Sequence, residues 1–307
     1  MLIAITGGSG FIGRRLIKKL VESSYNLLLL GRSFDRPSIS DLIKEKKVDY
    51  IKYDLTNRNP EISNTLRNVD VLVHLAAFVP RSNKPSDDDP IKNIEVNIKG
   101  THNLLKDFEN VAEKLIFAST LEVYGKPVFL PITEFHPVNP LTYYGASKLA
   151  AEKYVTIFSF QHNMKSVILR FSTVYGPEEV FDRAIPNFIR CVMEGKSPVI
   201  YGDGLDVRDY IYIDDAVDAI VAAIHRDCEG VYNIASGEGY TIHEIFEKIK
   251  DISGKDLKPI FKRSNREPTK FIFDIISARK ELGFSPKVSI DHGLTEEFSW
   301  YKKVKHV

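Results

Sequence analysis

Tyr144 and Lys148 stand four residues apart in Tyr144-Gly145-Ala146-Ser147-Lys148, a spacing that puts both on one face of a helix. A tyrosine is a poor base at neutral pH unless its phenolate is stabilised. A neighbouring ammonium does this, as does the positive ring of an oxidised nicotinamide, so the pair suits proton transfer coupled to hydride transfer. A second polar cluster, Ser119-Thr120-Leu121-Glu122, closes the apolar run that ends at Phe117-Ala118. Thr120 can hydrogen-bond the reacting oxygen, and Ser119 is the neighbour able to share that task. The third candidate is Thr6-Gly7-Gly8-Ser9-Gly10-Phe11-Ile12-Gly13, a Gly-x-x-Gly-x-x-Gly pattern between a strand-like run and a helical one. Gly7 permits a tight turn, Gly10 lets backbone approach a pyrophosphate, and Gly13 lets the helix pack closely on the strand. The helix N-terminus then offers its N–H groups to the phosphates.

The cofactor this implies is NAD or NADP. At the end of the second strand a carboxylate would hold the ribose hydroxyls of NAD, but the chain has Leu30-Gly31-Arg32-Ser33. Arg32, helped by Arg36, instead suits the 2′-phosphate of NADP. Asp54-Leu55, after the third strand, is placed to meet the adenine amino group.

These residues need a scaffold, and the pattern supplies one. The runs Leu2–Ile5, Leu27–Leu30, Val69–Leu75, Leu115–Ala118 and Val167–Phe171 alternate with helical spacing over Phe11–Val21, Ile91–Phe108 and Tyr144–Phe158. Strands apolar on both faces require helices on both sides, which predicts an α/β fold: a doubly wound parallel sheet (Rossmann) with a smaller, interleaved C-terminal substrate lobe. The expected division is 1–170 plus about 209–235 for the dinucleotide domain, and about 171–208 plus 236–307 for the lobe. Ligands should bind at the carboxyl ends of the strands.

Composition narrows the function classes. The 307 residues carry 42 Lys+Arg against 41 Asp+Glu, a net charge of +1, so no global field recruits nucleic acid or an anionic membrane. Two cysteines, with no CxxC and no Cys/His cluster, offer neither a disulfide framework nor a metal site, which fits a cytoplasmic protein. No basic leader precedes Leu2 and no apolar run is long enough to span a bilayer, so neither secretion nor membrane insertion is expected.

Taken in order, the glycine motif at 6–13, His74-Leu75-Ala76-Ala77, Asn97-Ile98-Lys99-Gly100-Thr101, Ser119 to Gly125, Tyr144 to Lys148, Gly202 to Asp215 and Val231-Tyr232-Asn233-Ile234 resemble the extended short-chain dehydrogenases/reductases. The likeness is to their NAD-dependent epimerase/dehydratase family, which acts on nucleotide sugars. The resemblance implies Tyr144 as catalytic base, Lys148 as the ribose-binding lysine and Thr120 as the hydroxyl assisting at the sugar. It implies Phe11, Ile12, Ala76 and Ala77 as further cofactor contacts. On the substrate side it implies Ser82, Thr173, Asn187 and Tyr201, with Arg208 and Arg266 gripping the diphosphate. A homodimer through helices near Ile91–Phe108 and Tyr144–Phe158 is expected on the same ground.

Departures from the family pattern discriminate among reactions. Thr173 stands where an amide is usual, and Glu267-Pro268 replaces the usual Gly-Asp after Arg266. Leu121 replaces the aspartate that protonates a leaving hydroxyl, which disfavours dehydration, whereas Glu122 matches the glutamate of nucleotide-sugar decarboxylases. The leading expectation is a UDP-hexose 4-epimerase. The alternatives are an NADPH-dependent reductase of a 4-keto nucleotide sugar, a decarboxylase, and a cofactor-sensing protein without chemistry. Phe271 matches the position that gates N-acetylated sugars in the resembling epimerases; it also has the parity of Phe273, so both could lie on one packed face.

Overall fold

The computed structural model describes residues 1–62, 69–82, 84–179, 181–264 and 267–305. Its large sheet is built from β1 (Leu2–Thr6), β2 (Asn26–Gly31), β3 (Asp49–Lys52), β4 (Val69–His74), β5 (Ala112–Thr120), β6 (Lys165–Phe171) and β10 (Gly230–Ile234). Their order across the sheet is β3-β2-β1-β4-β5-β6-β10, with every neighbouring pair parallel. The winding reverses between β1 and β4, so the connections leave a crevice at the carboxyl ends of these two strands.

Helices cover both faces, as the all-apolar strands demand. Alternation along β1 sends Ile3 and Ile5 to one side, against Leu16, Ile17 and Leu20 of α1 (Phe11–Glu22). Ala4 points to the other, into a cluster with Leu104, Leu105, Ala151 and Val155. Those four residues come from α3, which runs as Pro90–Lys92, Asn93–Lys99 and Gly100–Asp107, and from α4 (Tyr143–His162). The Asn93–Lys99 stretch is wound as a π-helix, a departure from the simple helix that the spacing predicts and one that often accompanies a functional site. The short helix α2 (Pro37–Lys44) lies between β2 and β3. The apolar runs do not mark β3; it is a sheet edge whose Tyr50 faces solvent, so burial imposes no pattern on it.

The remaining chain forms smaller units at the carboxyl edge. β7 (Thr173–Tyr175) pairs in parallel with β9 (Val207–Tyr212), and β11 (Gly239–Thr241) adds antiparallel to β9. β8 (Val199–Tyr201) pairs with β12 (Ile260–Lys262). Helices α5 (Ala184–Met193), α7 (Ile242–Ser253) and α8 (Ile290–Lys305) pack around these strands, while α6 (Ile213–His225) returns to lie beside α1. After α6 the chain rejoins the large sheet as β10, so the two parts interleave. Among the described residues no helix is long and apolar enough to cross a membrane, and no group of three or more His, Cys, Asp or Glu could hold a metal ion.

Candidate active site

The turn between β1 and α1 is held by backbone contact so close that only glycine fits. Gly7 has φ +72°, and a Cβ there would lie 2.6 Å from the Ala76 nitrogen. At Gly13 a Cβ would lie 2.2 Å from the Gly7 carbonyl oxygen, so the helix is seated directly against the turn. Gly10 caps α1 without a side-chain hydrogen bond, which leaves the first-turn N–H groups open to an anion.

A chain of hydrogen bonds fixes the ends of β1 and β4 beside this turn. The Ala76 N–H donates to Thr6 Oγ1 (3.2 Å), which is 2.7 Å from His74 Nδ1; His74 Nε2 is 3.0 Å from Thr101 Oγ1, and that hydroxyl donates to the Asn97 carbonyl (2.6 Å). Because Thr101 spends its proton on Asn97, His74 must donate from Nε2 and accept at Nδ1. Burial, and then the charge of Lys148, push His74 down to about 3, so the ring is a neutral strut at physiological pH.

A cavity of about 450 Å³ opens from the glycine turn along the carboxyl edge. Its wall contains Gly7, Gly10, Phe11, Ile12 and Gly13, then Arg32 after β2, Asp54 and Leu55 after β3, Ala76 and Ala77 after β4, and Thr120, Tyr144 and Lys148. The fold thus brings the expected cofactor residues to one surface, except Arg36, which is not part of this wall. Asp54 accepts from Thr56 N (3.0 Å) and Thr56 Oγ1 (2.9 Å), which holds its carboxyl below the usual range.

Helix α4 presents the reactive pair. Thr142 Oγ1 caps it by accepting from Gly145 N (2.9 Å), and Asp88 accepts from the N–H groups of Tyr143 (2.8 Å) and Tyr144 (3.0 Å), placing a carboxylate at the positive helix end. From the π-helical stretch, Asn97 Nδ2 donates to Ser147 Oγ (3.0 Å), and that hydroxyl lies 3.1 Å from Asn93 Oδ1. Burial and the nearby Glu122 raise the Tyr144 phenol, while Arg183 and the Thr120 hydroxyl act in the opposite direction. Lys148 is 3% exposed, with Nζ 3.9 Å over the Phe117 ring. Burial lowers it to about 7 against the opposing pull of Glu152.

One turn beyond Lys148, Glu152 receives a two-point contact from Arg170 of β6, with Nε to Oε1 at 3.0 Å and Nη2 to Oε2 at 2.7 Å. Ser119 and Thr120 both line the cavity, but the Ser119 hydroxyl donates to Glu152 Oε1, whereas Thr120 Oγ1 accepts from Glu122 N (3.3 Å). Arg170 Nη1 donates to the Tyr124 hydroxyl (3.0 Å), which donates to Asn233 Oδ1 (2.6 Å). The sequence reading missed Glu152 as a partner of Lys148, although its i+4 position is the signal that marks it. It also missed cavity-lining Ser172, Phe181 and Arg183, which no local spacing announces.

The expected substrate residues are more scattered. Ser82 donates to Asp87 Oδ2 (2.6 Å), and Asn187 on α5 is near Cys191 Sγ (3.8 Å). Thr173 lies between Ser172 and Val174, which line the cavity although Thr173 does not. Tyr201, 66% exposed, lines a second cavity with Asp206 and Phe261. Arg208 donates to the carbonyls of Val207 (2.8 Å) and Thr269 (3.2 Å), is 3.6 Å from Asp206 and lies 4.8 Å over the Phe271 ring. Phe271 is 9% exposed and packs in one cluster with Phe273 and Tyr124, away from the first cavity's wall. Arg266 lies outside the described residues.

The depressed Lys148 gives a stability signature in the cofactor-free chain. An unfolded lysine keeps its ordinary value of 10.5, so between about 7 and 10.5 the unfolded state binds the extra proton. Stability therefore rises with pH across that window and is lost as pH falls through about 7. Lys148→Met removes the effect. Urea titrations should show the wild-type unfolding free energy gaining ~1–3 kcal/mol relative to Lys148→Met from about pH 7 to about pH 10. A constant difference would mean that the ammonium is solvated.

The chain is similar to the UDP-glucose 4-epimerase of Thermotoga maritima, crystallised with UDP-glucose, with TM-score 0.87 and 29% identity over 99% of this chain and 100% of that one. It is equally similar to the UDP-glucuronic acid 4-epimerase of Bacillus cereus in complex with UDP-glucuronic acid and NAD, with TM-score 0.87, 32% identity and 99% and 100% of the two chains covered. The UDP-glucuronic acid decarboxylase 5 of Arabidopsis thaliana is 29% identical over 305 residues, covering 96% of this chain and 87% of its own length. The NAD dependent epimerase/dehydratase family matches residues 3–235, and the chain belongs to that family.

Proposed function

We propose that the chain is a nucleotide-sugar 4-epimerase acting on a UDP-linked six-carbon sugar. The observation that carries this reading is the continuity of one cavity from the Gly7–Gly13 turn to Thr120, Tyr144 and Lys148. The cavity suits a dinucleotide: backbone forms the wall at the turn, the first-turn N–H groups of α1 carry no side-chain cap, and Ser172 Oγ is buried there without a hydrogen-bond partner among the described residues. When bound, a nicotinamide cofactor supplies the hydride acceptor and later the hydride donor at sugar carbon 4, and is regenerated within one turnover. The α1 N-terminus holds the pyrophosphate. Lys148 holds the nicotinamide ribose and stabilises the Tyr144 phenolate. Thr120 orients the 4-hydroxyl, and Tyr144 takes its proton and returns it once the sugar has turned over. Tyr201, exposed at the second cavity, and Arg208 beside Asp206 of its wall are the proposed nucleotide contacts.

The 4-epimerases among the solved relatives support this assignment over a one-way reduction. A decarboxylase is the second reading, and Glu122 is the observation that favours it. Its Oε2 accepts from Thr142 Oγ1 (2.6 Å), its carboxyl is raised by burial, and it acts electrostatically on Tyr144. Product analysis separates the readings: a sugar epimer with no net change in cofactor supports the epimerase. Release of carbon dioxide would instead identify a decarboxylase, and stoichiometric oxidation of NADPH a reductase.

Tyr144→Phe removes only the hydroxyl. It should lower turnover of UDP-sugars by about 10²–10⁴-fold while dinucleotide affinity stays within about twofold, read by product NMR and fluorescence titration. Wild-type turnover by this variant would dismiss Tyr144 as the base. For the cofactor, exposed Arg32 at the cavity rim favours NADP although the Bacillus cereus relative was solved with NAD. Arg32→Asp should shift the NADP-to-NAD affinity ratio toward NAD by about tenfold or more. A wild-type preference for NAD would remove the basis of that choice.

The same reading includes a homodimer. Ile91 and Ile94 on α3 and Tyr154, Ile157 and Phe160 on α4 are exposed, and the two helices pack against each other. Phe160 is 89% exposed, an apolar surface that a second copy would cover. Light scattering should give a dimer for the wild type and a smaller species for Phe160→Glu. A monomeric wild type would dispose of the dimer.

A further inference from the structure

Resting on the epimerase reading, we infer that Arg183 is a specificity-determining residue that selects a sugar bearing a carboxylate at carbon 6, a hexuronic acid, over the neutral hexose. Arg183 precedes α5 and lines the same cavity wall as Tyr144, Thr120 and Ser172. Its guanidinium carbon lies 4.5 Å from the Phe181 ring centroid, and the guanidinium makes no hydrogen bond or ion pair among the described residues. Its charge favours the ionised forms of Tyr144, Glu122 and Glu179, so it faces the reacting end of the cavity.

Neither neighbouring carboxyl forms an ion pair with this guanidinium among the described residues. Glu122 accepts the Thr142 hydroxyl's hydrogen bond, and burial raises both Glu122 and Glu179, which favours their uncharged forms. A guanidinium in a partly enclosed cavity, stacked but without an anionic partner, is a site for a planar anion, and carboxylate matches its fork. The geometry of the sugar then decides which anion. Tyr144 and Thr120 define carbon 4, and carbon 6 is two bonds away through carbon 5. The anomeric carbon that bears the diphosphate is diametrically across the ring. A cation beside the base therefore reads the substituent at carbon 5 and not the diphosphate.

The test is equilibrium binding of UDP-glucuronic acid, UDP-glucose and UDP to the dinucleotide-loaded protein by calorimetry, on wild type, Arg183→Gln and Arg183→Lys. The wild type should bind UDP-glucuronic acid about tenfold or more tighter than UDP-glucose. Arg183→Gln should weaken UDP-glucuronic acid by about tenfold or more and leave UDP-glucose and UDP within about twofold, with Arg183→Lys intermediate. Equal loss for all three ligands would place the guanidinium at the diphosphate and overturn the inference, as would no loss for any. Turnover measured on the same samples is a separate readout. Arg183-dependent selection without epimerisation sinks the activity and leaves the specificity standing, whereas epimerisation of both sugars without selection does the reverse.

Discussion

Glu152 and Arg170 are both almost completely buried, and neither could be buried alone. Removing one member of such a pair typically costs about 3–5 kcal/mol, because the survivor keeps its desolvation penalty without its partner. The pair therefore acts as a clamp between α4 and β6, and much of the site hangs from it. Lys148 sits one helical turn before Glu152 and Tyr144 one turn earlier still, so the seat of α4 sets where both reach the cavity. Ser119 is drawn to the same carboxylate from β5. Through Tyr124 and Asn233, whose Nδ2 donates to the Ile132 carbonyl (2.9 Å), the clamp extends to the cluster that holds Ile132, Phe271 and Phe273.

Around that clamp, charge is distributed by burial more than by composition. A net charge of +1 gives no long-range field, yet one cavity carries the open N-terminus of α1, Lys148, Arg183 and, at its rim, Arg32. His74 adds no charge because it is held neutral at the base of the glycine turn. The surface is thus locally positive and suited to a ligand that is anionic at several points along its length. It is also adjustable, since Lys148 titrates near 7 before a ligand enters and would regain its proton beside added negative charge.

Much of the scaffold could be read without coordinates because its determinants are short-range. Apolar runs on both strand faces require helices on both sides, and the parallel sheet follows from that. The same reading placed a third strand before Asp54 without an apolar run to mark it, since β3 is an edge strand under no burial constraint, and it passed over the π-helical winding at Asn93–Lys99, which side-chain spacing does not encode. Parity allowed Phe271 and Phe273 to share a face but could not say which surface that face meets. Packing puts both rings in one cluster with Val123, Tyr124 and Ile132.

The sequence alone determined the doubly wound class, the glycine turn and the Tyr144–Lys148 pair. Each of these depends on neighbours within a few residues, where helical and strand periods convert spacing directly into geometry. Tertiary structure alone decided which polar groups are spent on support and which face the ligand. Ser119 and Thr120 are adjacent and chemically alike, yet Glu152, thirty-odd residues away, takes one hydroxyl and leaves the other. Arg208 meets Asp206 and the Thr269 carbonyl, while Arg183, in a segment with no motif, enters the cavity. The physical reason is that an ionic side chain is directed by the charges and carbonyls that the fold brings to it, and these come from distant parts of the chain.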